Sequence, residues 1–323
     1  MRRLLALIAV LSLVGACAPD DPPETAPDIA PAGQQLRWEQ LAPVPTPRTE
    51  VAATARRGRI FVVGGFAEDR GTVATVEIYD ISSDSWRTGP RLPLAVNHAM
   101  SATLDGVVYV VGGYIGGGRS TRRAFAFRDG RWRELPRMPR VRAAGGLVAV
   151  RGRLFVVGGV GANGVADSTM VFDPDDRRWR VRAGVPTQRQ HLGAAGARRR
   201  VWVVAGRTGG LDSNMDTFER YSPSAGNWRR LPDIPTARGG LAAAATRNGF
   251  IVAAGGEAPN RTFDEVEAYN IGRRRWRSLP PMPTARHGLG VVAVGNTIYV
   301  LAGGPQPGLT YSDANEAIDL SSL

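Results

Sequence analysis

This chain is very poor in two residue types and lacks several catalytic motifs. It contains no lysine, so all 41 of its basic residues are arginine, and it contains one cysteine, Cys17. One cysteine excludes an intramolecular disulfide and a metal site built from several thiolates. The sequence also lacks a nucleophile elbow, a phosphate-binding loop and a zinc-binding helix motif, which excludes the enzyme classes that depend on them.

The chain is short of acidic charge, with 29 acidic residues against 41 basic ones and a formal net charge of +12. A basic surface attracts nucleic acid, anionic lipid or acidic glycans. However, the exclusive use of arginine beside abundant Ala, Gly and Pro is typical of a GC-rich genome, which explains the charge without a dedicated partner. We therefore interpret the arginines as a solvated surface and expect no nucleic-acid partner.

Long hydrophobic runs are absent apart from residues 4–14. This run is too short to span a bilayer, but after Arg2 and Arg3 it is typical of the apolar segment of a signal peptide. Residues 14–17, Val-Gly-Ala-Cys, resemble a bacterial lipobox, in which the cysteine is lipidated and becomes the first mature residue. The alternative is an ordinary cut after Ala18, which would place Pro19 just past the cleaved bond.

We therefore expect residues 1–16 to be a lipoprotein signal peptide and Cys17 to be the lipidation site. Residues 17–35 are rich in proline and acidic residues and carry almost no large apolar side chains, so they are predicted to form a disordered tether. The expected localisation is the bacterial cell envelope, with the anchor in the outer membrane. The lipid would be the only membrane contact of the chain.

The rest of the sequence repeats with a period of 46 to 50 residues. An apolar run ends in a pair of small residues six times, and the last residues of these pairs are Gly65, Gly113, Gly159, Gly206, Gly256 and Gly304. Six tryptophans keep the same period, namely Trp38, Trp86, Trp132, Trp179, Trp228 and Trp276. Two independent landmarks in phase at this period predict a β-propeller.

These motifs resemble the Kelch family, whose repeat has a strand ending in Gly-Gly, a strand ending near Tyr-Asp and a strand opened by Trp. The resemblance covers about residues 36–320, with Ala205 in place of the first glycine in the fourth repeat. It implies an all-β fold for residues 36–323, a six-bladed Kelch-type β-propeller with four-stranded antiparallel blades. Because no tryptophan follows the last repeat, the amino-terminal strand at Trp38 is expected to complete the sixth blade and close the ring.

One face of this propeller is predicted to carry the binding residues. Connections alternate between the two faces of an antiparallel blade, so the loops after Gly-Gly share a face with the links between blades. Five links carry a Pro-x-x-Arg element and the second has Val96 instead; the arginines are Arg48, Arg142, Arg189, Arg238 and Arg286. Blade packing explains such a recurring residue better than a ligand does, but these arginines remain ligand-binding candidates.

The two positions after this arginine vary from blade to blade, which makes them the stronger candidates for recognition. The polar residues there, which include all three histidines of the chain, are Glu50, Asn97, His98, Gln190, His191 and His287. Glu50, His98 and His191 could converge on a metal ion, because imidazole is a good ligand. A ring of loose polar side chains binds water far more often, so the sequence predicts no metal and no cofactor.

The sequence thus predicts a monomeric, envelope-anchored Kelch-repeat protein that binds an unidentified protein or glycan through this face. The alternative is a sugar isomerase similar to the sialic acid mutarotases, which are exported Kelch propellers, with Arg, His and Glu side chains that bind a carboxylated sugar. Chemistry like that of galactose oxidase is excluded, since it needs a cysteine beside copper and Cys17 lies in the lipobox. Binding is favoured because a shared fold does not establish a catalytic site.

Overall fold

Short runs of Val, Ile, Phe and Tyr between glycine and aspartate turns form the strands of this protein, as expected from their β propensity. In the computed structural model, which describes residues 36–323, these runs build six antiparallel sheets of four strands each. The predictions for the signal peptide, the tether and Cys17 concern residues 1–35, which lie outside the described residues.

The first three blades follow one another along the chain, and their strands run in order from the centre of the molecule outwards. Blade 1 consists of Ala52–Arg56, Arg59–Val63, Val76–Asp80 and Ser85–Thr88. Blade 2 consists of Met100–Leu104, Val107–Val111, Ala124–Arg128 and Arg131–Glu134. Blade 3 consists of Gly146–Val150, Arg153–Val157, Ser168–Asp173 and Arg178–Ala183.

The last blade takes one strand from the amino terminus. Blade 4 consists of Gly193–Ala197, Arg200–Arg207, Asn214–Ser222 and Asn227–Leu231. Blade 5 consists of Ala242–Ala245, Phe250–Ala254, Val266–Asn270 and Arg275–Ser278. Blade 6 consists of Gly290–Val294, Thr297–Leu301, Asn315–Asp319 and Trp38–Gln40. Trp38 lies opposite Ile318 in the sheet, as predicted for the closing strand.

The remaining regular structure consists of two-residue strands, most of them in hairpins at the ends of the blades. Among residues 36–323 these strands are Arg48–Thr49, Phe66–Ala67, Gly71–Thr72, Tyr114–Ile115, Arg119–Ser120, Val160–Gly161, Gly164–Val165, Glu257–Ala258 and Arg261–Thr262. A 3₁₀ turn spans Gly116–Gly118. No helix in this part of the chain is long and apolar enough to cross a membrane.

The six sheets form a ring around a central channel. The first strand of each blade packs beside the first strand of the next, and the first strand of blade 6 packs beside that of blade 1. Small residues such as Ala53, Ser101 and Ala194 on these strands line an axial cavity of about 260 Å³. The arrangement confirms the predicted six-bladed β-propeller.

The hydrophobic core is divided among the six interfaces between blades. At one interface Val63 and Ile78 of blade 1 pack against Val108 and Phe125 of blade 2. The last interface joins blade 6 to blade 1 in the same way. Burial of apolar surface at every interface, at about 25 cal/mol per Å², is therefore the main force that holds the ring together.

The periodic tryptophans pack between neighbouring blades, as predicted. The ring of Trp86 lies 5.1 Å from that of Tyr79, and its Nε1 donates to the Ala42 carbonyl at 2.8 Å. Four other indoles donate to a proline carbonyl in the link before their blade, namely those of Trp38, Trp132, Trp179 and Trp276. The Nε1 of Trp228 is buried without a partner.

One sequence landmark was placed one residue too late. The sixth pair of small residues is Ala302-Gly303, and not Gly303-Gly304, because the Gly303 N–H donates to the Arg48 carbonyl at 2.7 Å. The same contact joins Gly65 to Val96 and Gly113 to Arg142. The second residue of the pair therefore holds the link to the next blade.

Candidate functional site

The arginine of each Pro-x-x-Arg element is buried inside its blade. The Arg48 guanidinium donates to the Gly64 carbonyl and to the Glu77 carboxylate, both at 2.7 Å. Thr46 donates to the other carboxylate oxygen of Glu77 at 2.7 Å. Three more blades repeat this ion pair, as Arg189–Glu219, Arg238–Glu267 and Arg286–Glu316. These contacts fix the link between blades against the Gly-Gly turn.

Blades 2 and 3 depart from this ion pair. In blade 2, Val96 and Phe125 take the two positions and pack in one hydrophobic cluster. In blade 3, Arg142 donates to the Gly158 carbonyl at 2.7 Å and to the Ser168 hydroxyl at 3.3 Å, and burial lowers its pKa to about 10. All five arginines are at most 1% exposed, which supports the packing interpretation. Direct contact of these arginines with a ligand stays a prediction.

The positions two residues after the arginine form a ring of backbone hydrogen bonds around the channel mouth. We call these residues the collar: Glu50, His98, Ala144, His191, Gly240 and Gly288. From His98 to Gly288 each N–H donates to the carbonyl of the preceding member, at 2.8 to 3.0 Å. Val51, beside Glu50, closes the ring by donating to Gly288 at 3.2 Å.

Every collar residue has a left-handed backbone, with φ between 49° and 72°. This conformation costs a residue other than glycine about 1–2 kcal/mol, so the closed ring must hold Glu50, His98 and His191 in place. Their side chains line a cavity of about 110 Å³ at the mouth of the channel. The fold therefore brings these three predicted candidates together at one point.

An oxygen beside Nδ1 orients each of the three histidine rings, and for two of them it belongs to the side chain directly before the histidine. Asn97 and Gln190 form isolated β-bridges with Tyr114 and Arg207, which follow the paired small residues. The links between blades and the loops after Gly-Gly therefore share one face, as predicted. Asn97 Oδ1 lies 2.7 Å from His98 Nδ1, and Gln190 Oε1 lies 2.9 Å from His191 Nδ1. His287 Nδ1 lies 3.1 Å from the Gly304 carbonyl. Each histidine thus has an oxygen beside Nδ1, and its Nε2 faces other titratable groups.

These groups form a continuous cluster across the mouth. His98 Nε2 lies 3.1 Å from Glu50 Oε2 and 3.0 Å from His191 Nε2. His287 Nε2 lies 3.9 Å from Glu50 Oε1 and 3.5 Å from Glu257 Oε2. Arg207 donates to Glu257 Oε1 at 2.8 Å. We call these six residues, Glu50, His98, His191, Arg207, Glu257 and His287, the mouth cluster.

Burial dominates the ionisation of Glu50, His98 and His191. Desolvation raises the pKa of Glu50 to about 7, although the nearby His287 opposes the shift. Desolvation lowers the pKa of His98 to about 3 and that of His191 well below its usual value. The two collar imidazoles are therefore neutral at physiological pH.

Sequence reasoning missed Glu257. It directly follows Gly255-Gly256, at a position where other blades carry Phe66, Tyr114 or Arg207. The rings of Phe66 and Tyr114 meet that of His98 edge-on, with centroids 6.1 and 5.3 Å apart. Variation at this position was the signal that would have identified it.

The loops after the paired small residues surround the mouth with side chains of mixed character. Blades 1, 2, 3 and 5 form short hairpins there, and the two middle strands of blade 4 extend into the same region. The loop of blade 6 carries Leu309, which is 63% exposed, and its Gly308 N–H donates to Glu257 Oε2 at 3.1 Å. Leu309 therefore lies on the same face as the mouth cluster.

Comparison with known proteins gives curated relatives and a solved structure. Kelch-like protein 35 of Mus musculus is 28% identical over 246 residues, 73% of this chain and 40% of that protein. Kelch-like protein terF of Aspergillus terreus is 28% identical over 67% of this chain and 51% of that protein. The chain thus spans about half or less of the length of these relatives. The structure of YjhT matches with a TM-score of 0.74 at 15% identity, over 85% of this chain and 95% of that one, which shows a shared fold.

A family model described as the Kelch motif matches five segments of the chain. They are residues 47–93, 98–139, 142–185, 188–235 and 238–283. Each segment covers one of the first five blades with the end of the link before it and the start of the link after it, and the sixth repeat is the one divided between the two ends of the propeller. Since the matches cover well over half of the sequence, the chain belongs to the Kelch-repeat family.

Proposed function

We propose that this chain is a monomeric, envelope-anchored Kelch-repeat protein that binds another protein or a glycan through the face carrying the collar and the loops after Gly-Gly. The observation that carries the proposal is the convergence of six loops of different sequence on one mouth lined by Glu50, His98 and His191. The fold dictates the collar backbone but not these side chains, so their chemistry is free to serve recognition.

An exposed apolar side chain beside the mouth favours a protein partner. Leu309 is 63% exposed, and the other large hydrophobic residue exposed within residues 36–323 is Val181, at 40%. An exposed apolar side chain gains free energy when a partner covers it, at about 25 cal/mol per Å² of apolar surface buried. Arg261 and Asp69 on neighbouring loops supply polar groups. The predicted signal peptide and the lipobox-like residues 14–17 support the envelope anchor from the sequence alone.

The mutarotase-like alternative requires an arginine that is free to bind a sugar carboxylate. His191 is in the mouth, but all the nitrogens of the Arg189 guanidinium already donate to protein acceptors, among them the Ala205 and Val203 carbonyls and the Glu219 carboxylate. Arg207, nearer the mouth, is engaged by Glu257. Because the Arg189 guanidinium is saturated by protein acceptors and Arg207 is already paired with Glu257, we favour binding without turnover.

The test is a pull-down from an envelope extract with the full-length chain and two variants. We expect Leu309→Asp to lose the partner, because it places a charge in the centre of the apolar contact, and Val181→Asp to retain it. Val181 is the matched control, since it is the other exposed large hydrophobic side chain among residues 36–323 and lies on the outermost strand of blade 3. Equal recovery by both variants would contradict the proposed face. Faster anomer exchange of free sialic acid, measured by proton NMR, would favour the isomerase instead.

A further inference from the structure

Three ligand atoms of the mouth cluster face one another without any other protein group between them. Glu50 Oε2, His98 Nε2 and His191 Nε2 all lie within 4.8 Å of one another, and the two shortest separations are 3.0 and 3.1 Å. The three side chains come from blades 1, 2 and 4, and the collar backbone holds each at a fixed distance from the axis. This rigidity distinguishes the trio from loose polar side chains on a surface.

The other ring nitrogen of each histidine has an acceptor. His98 Nδ1 faces Asn97 Oδ1, and Asn97 Nδ2 in turn donates to Thr72 Oγ1 at 2.7 Å. His191 Nδ1 faces Gln190 Oε1. A neutral imidazole carries one proton, so an Nδ1–H that donates to these oxygens leaves Nε2 with an exposed lone pair. Histidine ligands of metals are oriented in this way by an oxygen beside the second nitrogen.

With these tautomers and an ionised Glu50, three acceptor atoms face one another, and two of their separations are at hydrogen-bond distance. Such an arrangement is repulsive unless a proton or a metal cation lies among the atoms. In a tetrahedral zinc site with bonds of roughly 2.0–2.1 Å, neighbouring ligand atoms lie about 3.3 Å apart, close to the separations found here.

We propose that Glu50, His98 and His191 bind a divalent transition-metal ion, with zinc as the best match, at the mouth of the channel. Two imidazoles and one carboxylate are ligands that zinc accepts, and three protein ligands leave the fourth position open. That position faces the cavity of about 110 Å³, where a water molecule or a carboxylate of a bound partner would complete the coordination. The proposal differs from the prediction made from the sequence alone, which favoured water over a metal ion at these residues.

The neighbouring triplet of Glu50, Glu257 and His287 is a poorer site, although its atoms are also close together. Glu257 accepts from Arg207 and from the Gly308 N–H, so both of its oxygens are engaged. His287 Nε2 lies 3.9 Å from Glu50 Oε1 and 3.5 Å from Glu257 Oε2, farther than the two short separations of the trio. The ion is therefore assigned to the trio, whose atoms are closer together and are not engaged by Arg207 or Gly308.

The proposal is tested on the full-length chain, purified in detergent without a histidine tag, stripped with a chelator and then loaded with zinc. We expect one zinc per chain after gel filtration, measured by mass spectrometry of the metal. His98→Ala, His191→Ala and Glu50→Gln should each lose most of it. Cobalt in place of zinc should give the strong visible absorption of a tetrahedral site, and the two histidine variants should lose this absorption.

Two checks distinguish loss of zinc binding from loss of folding. Ala144 occupies the collar with φ +51°, so alanine is compatible with the backbone at His98 and His191, and thermal unfolding checks each variant. Gln190→Ala removes only the side chain that orients His191 and should weaken zinc binding by about 10–100-fold without removing a ligand.

Glu68→Gln, a change to an exposed carboxylate on the rim, should leave zinc loading unchanged. An unliganded wild-type chain after zinc loading, or folded variants that retain as much zinc as the wild type, would overturn the proposal. Because no partner is needed, failure of this test is distinct from failure of the pull-down.

Discussion

At the scale of single residues, buried arginines decide how the links between blades are held. A buried guanidinium is stable where its donors meet acceptors, and the carbonyls at the paired small residues together with a glutamate supply most of them in four blades. The Nε of Arg286 is the exception among these four arginines, since it is buried without a partner. Blade 2 holds its link with Val96 and Phe125 instead. The ion pair is therefore one of two solutions to the same packing problem.

This equivalence predicts a double-mutant result in blade 6. Arg286→Met alone is expected to destabilise the protein by about 3–5 kcal/mol, because it leaves the Glu316 carboxylate buried without its partner. The double variant Arg286→Met/Glu316→Leu should recover most of that loss, as a hydrophobic pair does in blade 2. Urea unfolding of the wild type, both single variants and the double variant measures the coupling. A double variant no more stable than Arg286→Met would show that the pair is indispensable.

At the scale of elements, the paired small residues lie where the link of the next blade crosses the second strand, and in five of the six blades that strand ends directly before them. The first position accepts alanine, as Ala205 and Ala302 show. The second position is glycine in all six blades, with φ between 88° and 126°. The sequence predicted these turns from composition, but the hairpins beyond them were not predicted, because two-residue strands have no detectable periodicity.

The second glycine is predicted to be irreplaceable because of its surroundings as well as its φ angle. A Cβ at Gly113 would lie 2.7 Å from the Asn97 carbonyl oxygen, whereas Gly130, with φ +75°, has no atom within 4 Å of such a Cβ. We expect Gly130→Ala to cost about 1–2 kcal/mol from backbone strain alone, and Gly113→Ala to cost clearly more. Thermal unfolding compares the two, and equal losses would show that conformation alone selects this glycine.

At the scale of the whole molecule, the closing strand joins the first and last parts of the propeller. Trp38–Gln40 pairs with the edge of blade 6, and the Trp38 indole donates to the Pro280 carbonyl at 2.9 Å. Closure gives each blade two neighbours, and the mouth cluster depends on it because Glu50 of blade 1 meets His287 from the link into blade 6.

Removal of residues 36–41 is predicted to lower the melting temperature and to cause association, because the strand Asn315–Asp319 becomes an open edge. Removal of residues 18–35, the predicted tether, should leave the melting temperature unchanged. Thermal unfolding and size-exclusion chromatography of both truncations provide the measurement. An unchanged melting temperature after loss of residues 36–41 would show that blade 6 is stable with three strands.

The sequence by itself determined the blades and the positions of the candidate residues, because strands, turns and the tryptophan period are local patterns that recur along the chain. It also separated the variable positions of Glu50, His98 and His191 from the recurring arginines. Only the tertiary structure decided that His98 and His191, 93 residues apart, lie with Nε2 atoms 3.0 Å from each other. Such a distance depends on the register of every blade and on the closed collar, and neither is encoded in any one repeat.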